Sequence, residues 1–107
     1  VKLSLIIFED SGSQVVYCPA LDVDGYGVTE KEALDSFKVC LGEFLKYTLN
    51  KGTLHSEMAK MGWTIRKKKF TPPLFSKLLK INEDFSDIFN NHNFKKIDQN
   101  INIPILA

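Results

Sequence analysis

Four carboxylates lie close enough along the chain to raise metal chemistry: Asp22, Asp24, Glu32 and Asp35. A divalent cation held for phosphodiester hydrolysis needs several carboxylates converging on it. Asp22 and Asp24 can point to one side of a strand, and Glu32 or Asp35 can approach from a following helix. Simpler roles account for the same residues. Asp22 falls at a turn, Glu32 belongs to a helix cap, and the first strand carries no carboxylate before Glu9. Solvated loop and cap acids are therefore preferred, with no catalytic residue, no metal ligand and no cofactor expected. His55 and His92 stand apart, with no serine or cysteine nucleophile tied to either, so both read as structural or surface histidines.

The only basic run is Arg66-Lys67-Lys68-Lys69, flanked by Trp63 and Phe70. Such a run can attract phosphate, and its aromatic ends can stack on exposed bases. It also suits a cationic sheet edge that resists aggregation, with Trp63 in the core. Gly25 and Gly27 precede a helix but lack the rest of a phosphate-loop fingerprint. A bulge, a close backbone approach or a tight strand-to-helix turn explains them better. Cys18 and Cys40 have no metal-ligand spacing, and Cys40 lies on an apolar helix face, where a buried thiol is expected. Two cysteines with no signal segment ahead of them imply a reducing cytosol.

The elements that must position these residues centre on a long helix between Gly25 and Gly52. Ala33, Leu34, Phe37, Cys40, Leu41, Phe44, Leu45 and Thr48 recur at the spacing of one helical face. Thr29 and Glu32 fit a capping box, and Gly52 supplies a left-handed stop. Residues 2–9 and 14–18 read as strands joined by the turn at 10–13, and Pro19 ends the second. A third strand covers 24–28. A small helix follows Thr53 as N-cap, with Leu54, Met58 and Met61 on its apolar side and Gly62 as its stop. Residues 63–68 alternate as a fourth strand, reached from the third by a right-handed crossover. Leu74, Leu78, Ile81, Phe85, Ile88 and Phe89 mark a helical face interrupted at Asn82, which can cap a second segment. Residues 94–105 alternate as a terminal strand, with Ile97, Ile101, Ile103 and Ile105 on one side and Pro104 at its end.

The sequence has 107 residues, 44% hydrophobic and 25% charged, proportions that fit one soluble domain with a real core. No apolar run approaches a membrane span. Net charge is +1, unevenly spread. Residues 1–50 hold eight acids and four bases, net −4; residues 51–107 hold five acids and ten bases, net +5. The split implies an acidic surface for one partner and a basic one for another, or two solvated surfaces.

One family combines these pieces. Tyr17-Cys18-Pro19-Ala20-Leu21, followed by Gly27-Val28-Thr29-Glu30-Lys31-Glu32-Ala33, resembles HicB-type antitoxins. Pro19, Leu21, Gly27, Thr29, Glu32 and Ala33 match the aromatic-x-Pro-x-Leu and Gly-x-Thr-x-x-Glu-Ala motifs of that family in order. The resemblance covers roughly residues 2–66. It departs where Asp22-Val23-Asp24-Gly25-Tyr26 replaces the usual Gly-Cys, and residues 70–107 show no convincing helix-turn-helix, so operator DNA is not assigned. It implies an α+β fold with a mainly antiparallel sheet, a β-β-β-α-β core over residues 1–70 with the long helix on one face. Residues 71–107 then form a helical extension ending in a strand, part of the same compact unit. It implies a cytoplasmic, non-enzymatic protein that neutralises a small RNA-cleaving, HicA-type toxin. The alternatives are a metal-dependent RNase H-like nuclease and a general binding module with the same fold. Tyr17, Leu21, Asp22 and Asp24 are the toxin-interface candidates, with Tyr17 and Leu21 as apolar anchors if exposed. Arg66, Lys67, Lys68 and Lys69 are the candidate nucleic-acid contacts. The terminal strand from Phe94 is expected to offer an edge for a homodimer.

Overall fold

Leu3, Leu5 and Ile7 point to one side of the first strand and Ile6 and Phe8 to the other, yet all five are buried. A strand dry on both faces needs a covering layer on each. The computed structural model, which describes residues 1–66 and 69–103, supplies both. In chain order the elements are β1 (Lys2–Asp10), β2 (Ser13–Cys18), β3 (Val23–Gly27), α1 (Glu30–Lys51), α2 (Leu54–Lys60), β4 (Thr64–Arg66), β5 (Lys69–Thr71), α3 (Phe75–Ile81), α4 (Glu83–Asn91) and β6 (Phe94–Asn100). The fold is α+β. Its main sheet has the order β3-β2-β1-β6, and every pairing in it is antiparallel. No helix among the described residues is long and apolar enough to cross a membrane.

Helix α1 covers the first face. Thr29 Oγ1 accepts the Glu32 N–H at 3.1 Å, and the Glu32 carboxylate accepts the Val28 N–H at 3.0 Å. The reciprocal cap is therefore present, with its return bond one residue earlier than the expected Thr29 N–H. Gly52, at φ 68°, closes the helix through backbone bonds to Leu49 and Thr48. The helix lies directly on β3. A Cβ on Gly25 would collide with the Phe37 backbone nitrogen, and one on Gly27 would come within 2.6 Å of the Ala33 nitrogen. Both glycines mark a close backbone approach, and Ala33 continues the same contact from the helix side. The buried stripe is narrower than the apolar pattern. Ala33, Phe37, Leu41 and Thr48 are buried, whereas Cys40 is exposed. One residue from Leu41 is a turn of roughly 100° about the axis, which carries the thiol off the covered face.

Helices α3 and α4 cover the second face. Cross-strand register puts Tyr17, Ile6 and Lys96 on that side, with Phe8 and Phe94 one step along. A row of rings runs above them: Phe75 to Phe85 at 4.8 Å, Phe85 to Phe89 at 6.2 Å and Phe89 to Phe94 at 5.5 Å between centroids. Phe85 is wholly buried.

Two expectations about the remaining strands need correction. Residues 64–66 do not join the main sheet; β4 pairs with β5 in a separate antiparallel hairpin. The fourth strand is β6, which lies antiparallel against β1, so no parallel crossover follows α1. Cross-strand chemistry explains the choice. The β6 register sets Ile97 opposite Leu5 and Phe94 opposite Phe8, and Ser4 donates to Asp98 at 3.1 Å. The sequence Thr64-Ile65-Arg66 offers a single apolar side chain. The boundary expected at residues 70 and 71 falls within β5, and the C-terminal segment completes the sheet begun by the N-terminal one. Thr53 sits at the start of α2 but makes no side-chain cap bond. Lys67, Lys68, Pro104 and Ile105 lie outside the described residues.

Candidate functional site

The segment from Cys18 to Asp22 is where the layers meet. Pro19 cannot extend the ladder, so the chain turns, and the Asp22 N–H returns to the Cys18 carbonyl at 2.8 Å. Asp22 takes the left-handed conformation, φ 54°, which Asp tolerates better than most residues. Its neighbours in the turn, Cys18 to Leu21, are all buried. Trp63 Nε1 donates to the Ala20 carbonyl at 2.7 Å from across the molecule. Burial pushes the Cys18 thiol up to about 11, which keeps it protonated and unreactive.

A polar chain then ties the turn to the second helical layer. The Tyr17 hydroxyl donates to Asp22 Oδ1 at 2.6 Å and accepts from Asn82 Nδ2 at 2.8 Å. Asn82 Oδ1, in turn, accepts the Phe85 N–H at 3.0 Å and caps α4. One side chain thus ends the α3–α4 break and joins it to the sheet. Burial, reinforced by the Asp22 carboxylate, pushes the Tyr17 phenol far above its ordinary range. Tyr17 is consequently a permanent donor to Asp22 at any physiological pH.

Asp22 and Asp24 open onto a groove of about 400 Å³ between β2, β3 and α4. Asp10 lines it from the end of β1, Asp84 and Asp87 from α4, and His92 from the turn beyond; Phe8, Val15, Tyr17 and Ile88 complete its walls. A second hollow of about 320 Å³ adjoins it, sharing Asp22 and Asp84 and adding Glu83 and Lys60. Among the described residues none of the five groove aspartates lies within ion-pair distance of a lysine or arginine. The groove therefore gathers five carboxylates, none of them in an ion pair among the described residues, beside a partly apolar wall.

The residues singled out from sequence divide accordingly. Asp22 and Asp24 do come together, on the face shared with Tyr17, since Tyr17 and Asp24 are cross-strand partners. Tyr17 and Leu21 are only 4% and 1% exposed, so they are core residues and cannot be apolar anchors for a partner. Tyr26 is exposed instead, opposite Val15 at the groove wall. Glu32 and Asp35 do not join Asp22 and Asp24: Glu32 serves the helix cap, and Asp35 pairs with Lys31 at 3.2 Å. Among the described residues no group of three or more His, Cys, Asp or Glu could hold a metal ion. Of the basic run, Arg66 and Lys69 are exposed on the β4–β5 hairpin, but Trp63 is buried and unavailable for stacking on a base. His55 packs edge-on against Phe70, and His92 lies 5.0 Å from the Phe8 ring.

Asp84 and Asp87 were missed. They belong to the half of the chain with net charge +5, and only the docking of α4 on the sheet brings them to Asp22. Their i, i+3 spacing on one helical face was the available signal. No protein-family model matches this sequence, and no curated protein or solved structure matches it.

Proposed function

We propose that this chain is a non-enzymatic, HicB-like antitoxin that binds a small RNA-cleaving toxin through its acidic groove. The observation that carries the proposal is the convergence of Asp10, Asp22, Asp24, Asp84 and Asp87 from both ends of the chain on one concave surface. An RNA-cleaving protein must hold phosphates, so its active surface is cationic, and fixed carboxylates can occupy that surface in place of the nucleic acid. The Pro-x-Leu and Gly-x-Thr-x-x-Glu-Ala motifs support the family reading through their work here. Pro19 makes the turn that presents Asp22, Gly27 and Ala33 let α1 settle on the sheet, and Thr29 with Glu32 caps that helix. Charge would set the rate and orientation of encounter, and Tyr26 would supply an apolar contact at the rim.

The test is to recover a HicA-type toxin with the chain from its source cell and measure association with the Asp22→Lys, Asp24→Lys double variant. Association should slow by about tenfold or more at low salt and lose most of its salt dependence. Asp84→Asn with Asp87→Asn should act in the same direction, because both pairs line one groove. Unchanged rates in both variants would remove the groove from the interface. Hydrolysis of RNA that requires Mg or Mn and disappears in Asp24→Asn would instead identify a nuclease.

A further inference from the structure

Strand β6 closes one side of the sheet, and among the described residues its only strand neighbour is β1. Its outer backbone groups can be identified from the ladder. Val1 and Ile101 exchange both of their hydrogen bonds, at 2.8 and 2.7 Å. Hydrogen-bonded and non-hydrogen-bonded pairs alternate along an antiparallel ladder. With β6 in register against β1, Gln99, Ile97 and Lys95 therefore spend their N–H and C=O groups inward. Phe94, Lys96, Asp98 and Asn100 turn theirs outward.

We infer that this edge pairs with the β6 edge of a second copy of the chain, antiparallel about a two-fold axis at Ile97, to give a continuous eight-stranded sheet. Outward groups fall on the even-numbered residues, so the narrow hydrogen-bonded pairs must join even residues to even residues. Three two-fold registers near the strand centre are then possible. An axis at Lys96 sets Lys96 against Lys96 of the partner subunit, and an axis at Asp98 sets Asp98 against Asp98 of the partner subunit. Both place like charges directly opposite, which destabilises a strand pair. An axis at Ile97 sets Lys96 against Asp98 twice over and Phe94 against Asn100 twice over. It makes about eight backbone hydrogen bonds between the chains. Ile97 then meets its own copy as a close, non-hydrogen-bonded pair on the α1 side of the sheet.

The side chains are already placed for this exchange. Lys96 and Asp98 project from the same face of the strand, 3.4 Å apart, and both remain substantially exposed. In the dimer each gains the opposite charge of the partner without leaving its own chain. The acidic groove lies at the other side of the sheet, against β2 and β3, so two copies joined through β6 would carry two outward-facing grooves. The dimer does not depend on what those grooves bind.

Sedimentation equilibrium of the full chain, from about 10 to about 500 µM, covers the range expected of an interface built from one strand edge. The expected result is a concentration-dependent shift to twice the chain mass. Asp98→Lys should abolish dimerisation, since it sets lysines opposite each other. Adding Lys96→Asp to that variant should restore it, because the opposed pairs are again of unlike charge. Far-UV circular dichroism of each variant separates dissociation from unfolding, and the restored double variant answers the case in which the single variant folds poorly. For the register, Ile97→Cys in a Cys40→Ser background should form a disulfide-linked dimer on oxidation, whereas Lys95→Cys should not. A monomer throughout the range would overturn the proposal. So would a dimer that persists in Asp98→Lys, or one that does not cross-link through residue 97.

Discussion

The two faces of the sheet are covered by different means. On the first, α1 approaches until backbone nearly touches backbone, and the contact is made possible by missing side chains at Gly25 and Gly27. On the second, α3 and α4 stand off on a layer of rings and are pinned by one polar chain, Asp22–Tyr17–Asn82. The first face is therefore sensitive to added atoms and the second to removed ones. The glycine-mediated contact joins consecutive elements, β3 and the first half of α1, six to twelve residues apart along the chain. The pinned contact joins residues 65 apart. That difference places the candidate site on the second face, where segments remote in sequence leave a groove between them.

The sharpest way to break the comparison is to delete the most deeply buried ring of the second layer. Phe85→Ala should cost about 4 kcal/mol, the usual loss for a fully buried Phe, measured by urea denaturation. A loss below 1 kcal/mol would mean that the aromatic layer does not hold the second face. Next comes the opposite error on the first face. Gly25→Ala adds a methyl where the Phe37 backbone already sits, and should cost about 3 kcal/mol, at the upper end for overpacking. Gly42→Ala is its control: beyond its own stretch of helix nothing lies within 4 Å of its Cβ position, and this helical site should gain about 0.5–1 kcal/mol.

A smaller contrast sets one cap against the other. Asn82→Ala removes the α4 cap and the bond to Tyr17 together, and should cost about 2 kcal/mol. Thr29→Ala removes only the α1 cap bond and should cost about 1 kcal/mol. Equal losses would mean that the Tyr17 bond contributes nothing beyond capping.

The smallest effect concerns Asp98, at the β6 end of the second face. The hydrogen bond from Ser4 holds its carboxyl below the usual carboxylate range, and Lys96 and Lys2 act in the same direction. A lowered folded-state value makes the carboxylate form stabilising. That contribution is fully present above the unfolded-state pKa of about 3.9 and is lost as pH falls through the lower folded value. Ser4→Ala should raise the Asp98 pKa in a carboxyl NMR titration, and an unmoved Asp98 would mean that the Ser4 bond does not hold it down.

Much of the fold was legible in the chain because its signals are local. The hairpin of β1 and β2, the ends of α1 at Thr29 and Gly52, and the break at Asn82 each rest on a residue acting on backbone within a few positions. At Gly25 and Gly27 the sequence left a bulge, a tight turn and a close approach open, and the packing of α1 on β3 selected the last. Cys40 is exposed against expectation because an apolar stripe shows which face is oily and not how wide the underlying sheet is. The fourth strand is not decided by the sequence, because residues 64–66 and 94–100 both alternate, and alternation does not specify a partner.

The groove stands at the far limit of what sequence can reveal. Asp22 and Asp24 were visible as neighbours, and the local turn presents them as expected. Tyr17 carries an aromatic ring and a hydroxyl suited to a protein interface, yet it is buried, because Asn82 arrives from 65 residues away to satisfy that hydroxyl. Asp84 and Asp87 sit in the basic half of the chain, and charge counted along a sequence cannot foresee which surface a helix will reach. The caps at Thr29, Gly52 and Asn82, the turn at Pro19 and the strand-forming runs were determined by the sequence itself, because each is an interaction of the backbone with side chains a few residues distant. The choice of β6 as the partner of β1, the burial of Tyr17 and the gathering of five aspartates into one groove were decided only by tertiary packing. There the gain comes from apolar surface and hydrogen bonds shared between segments that the chain keeps far apart.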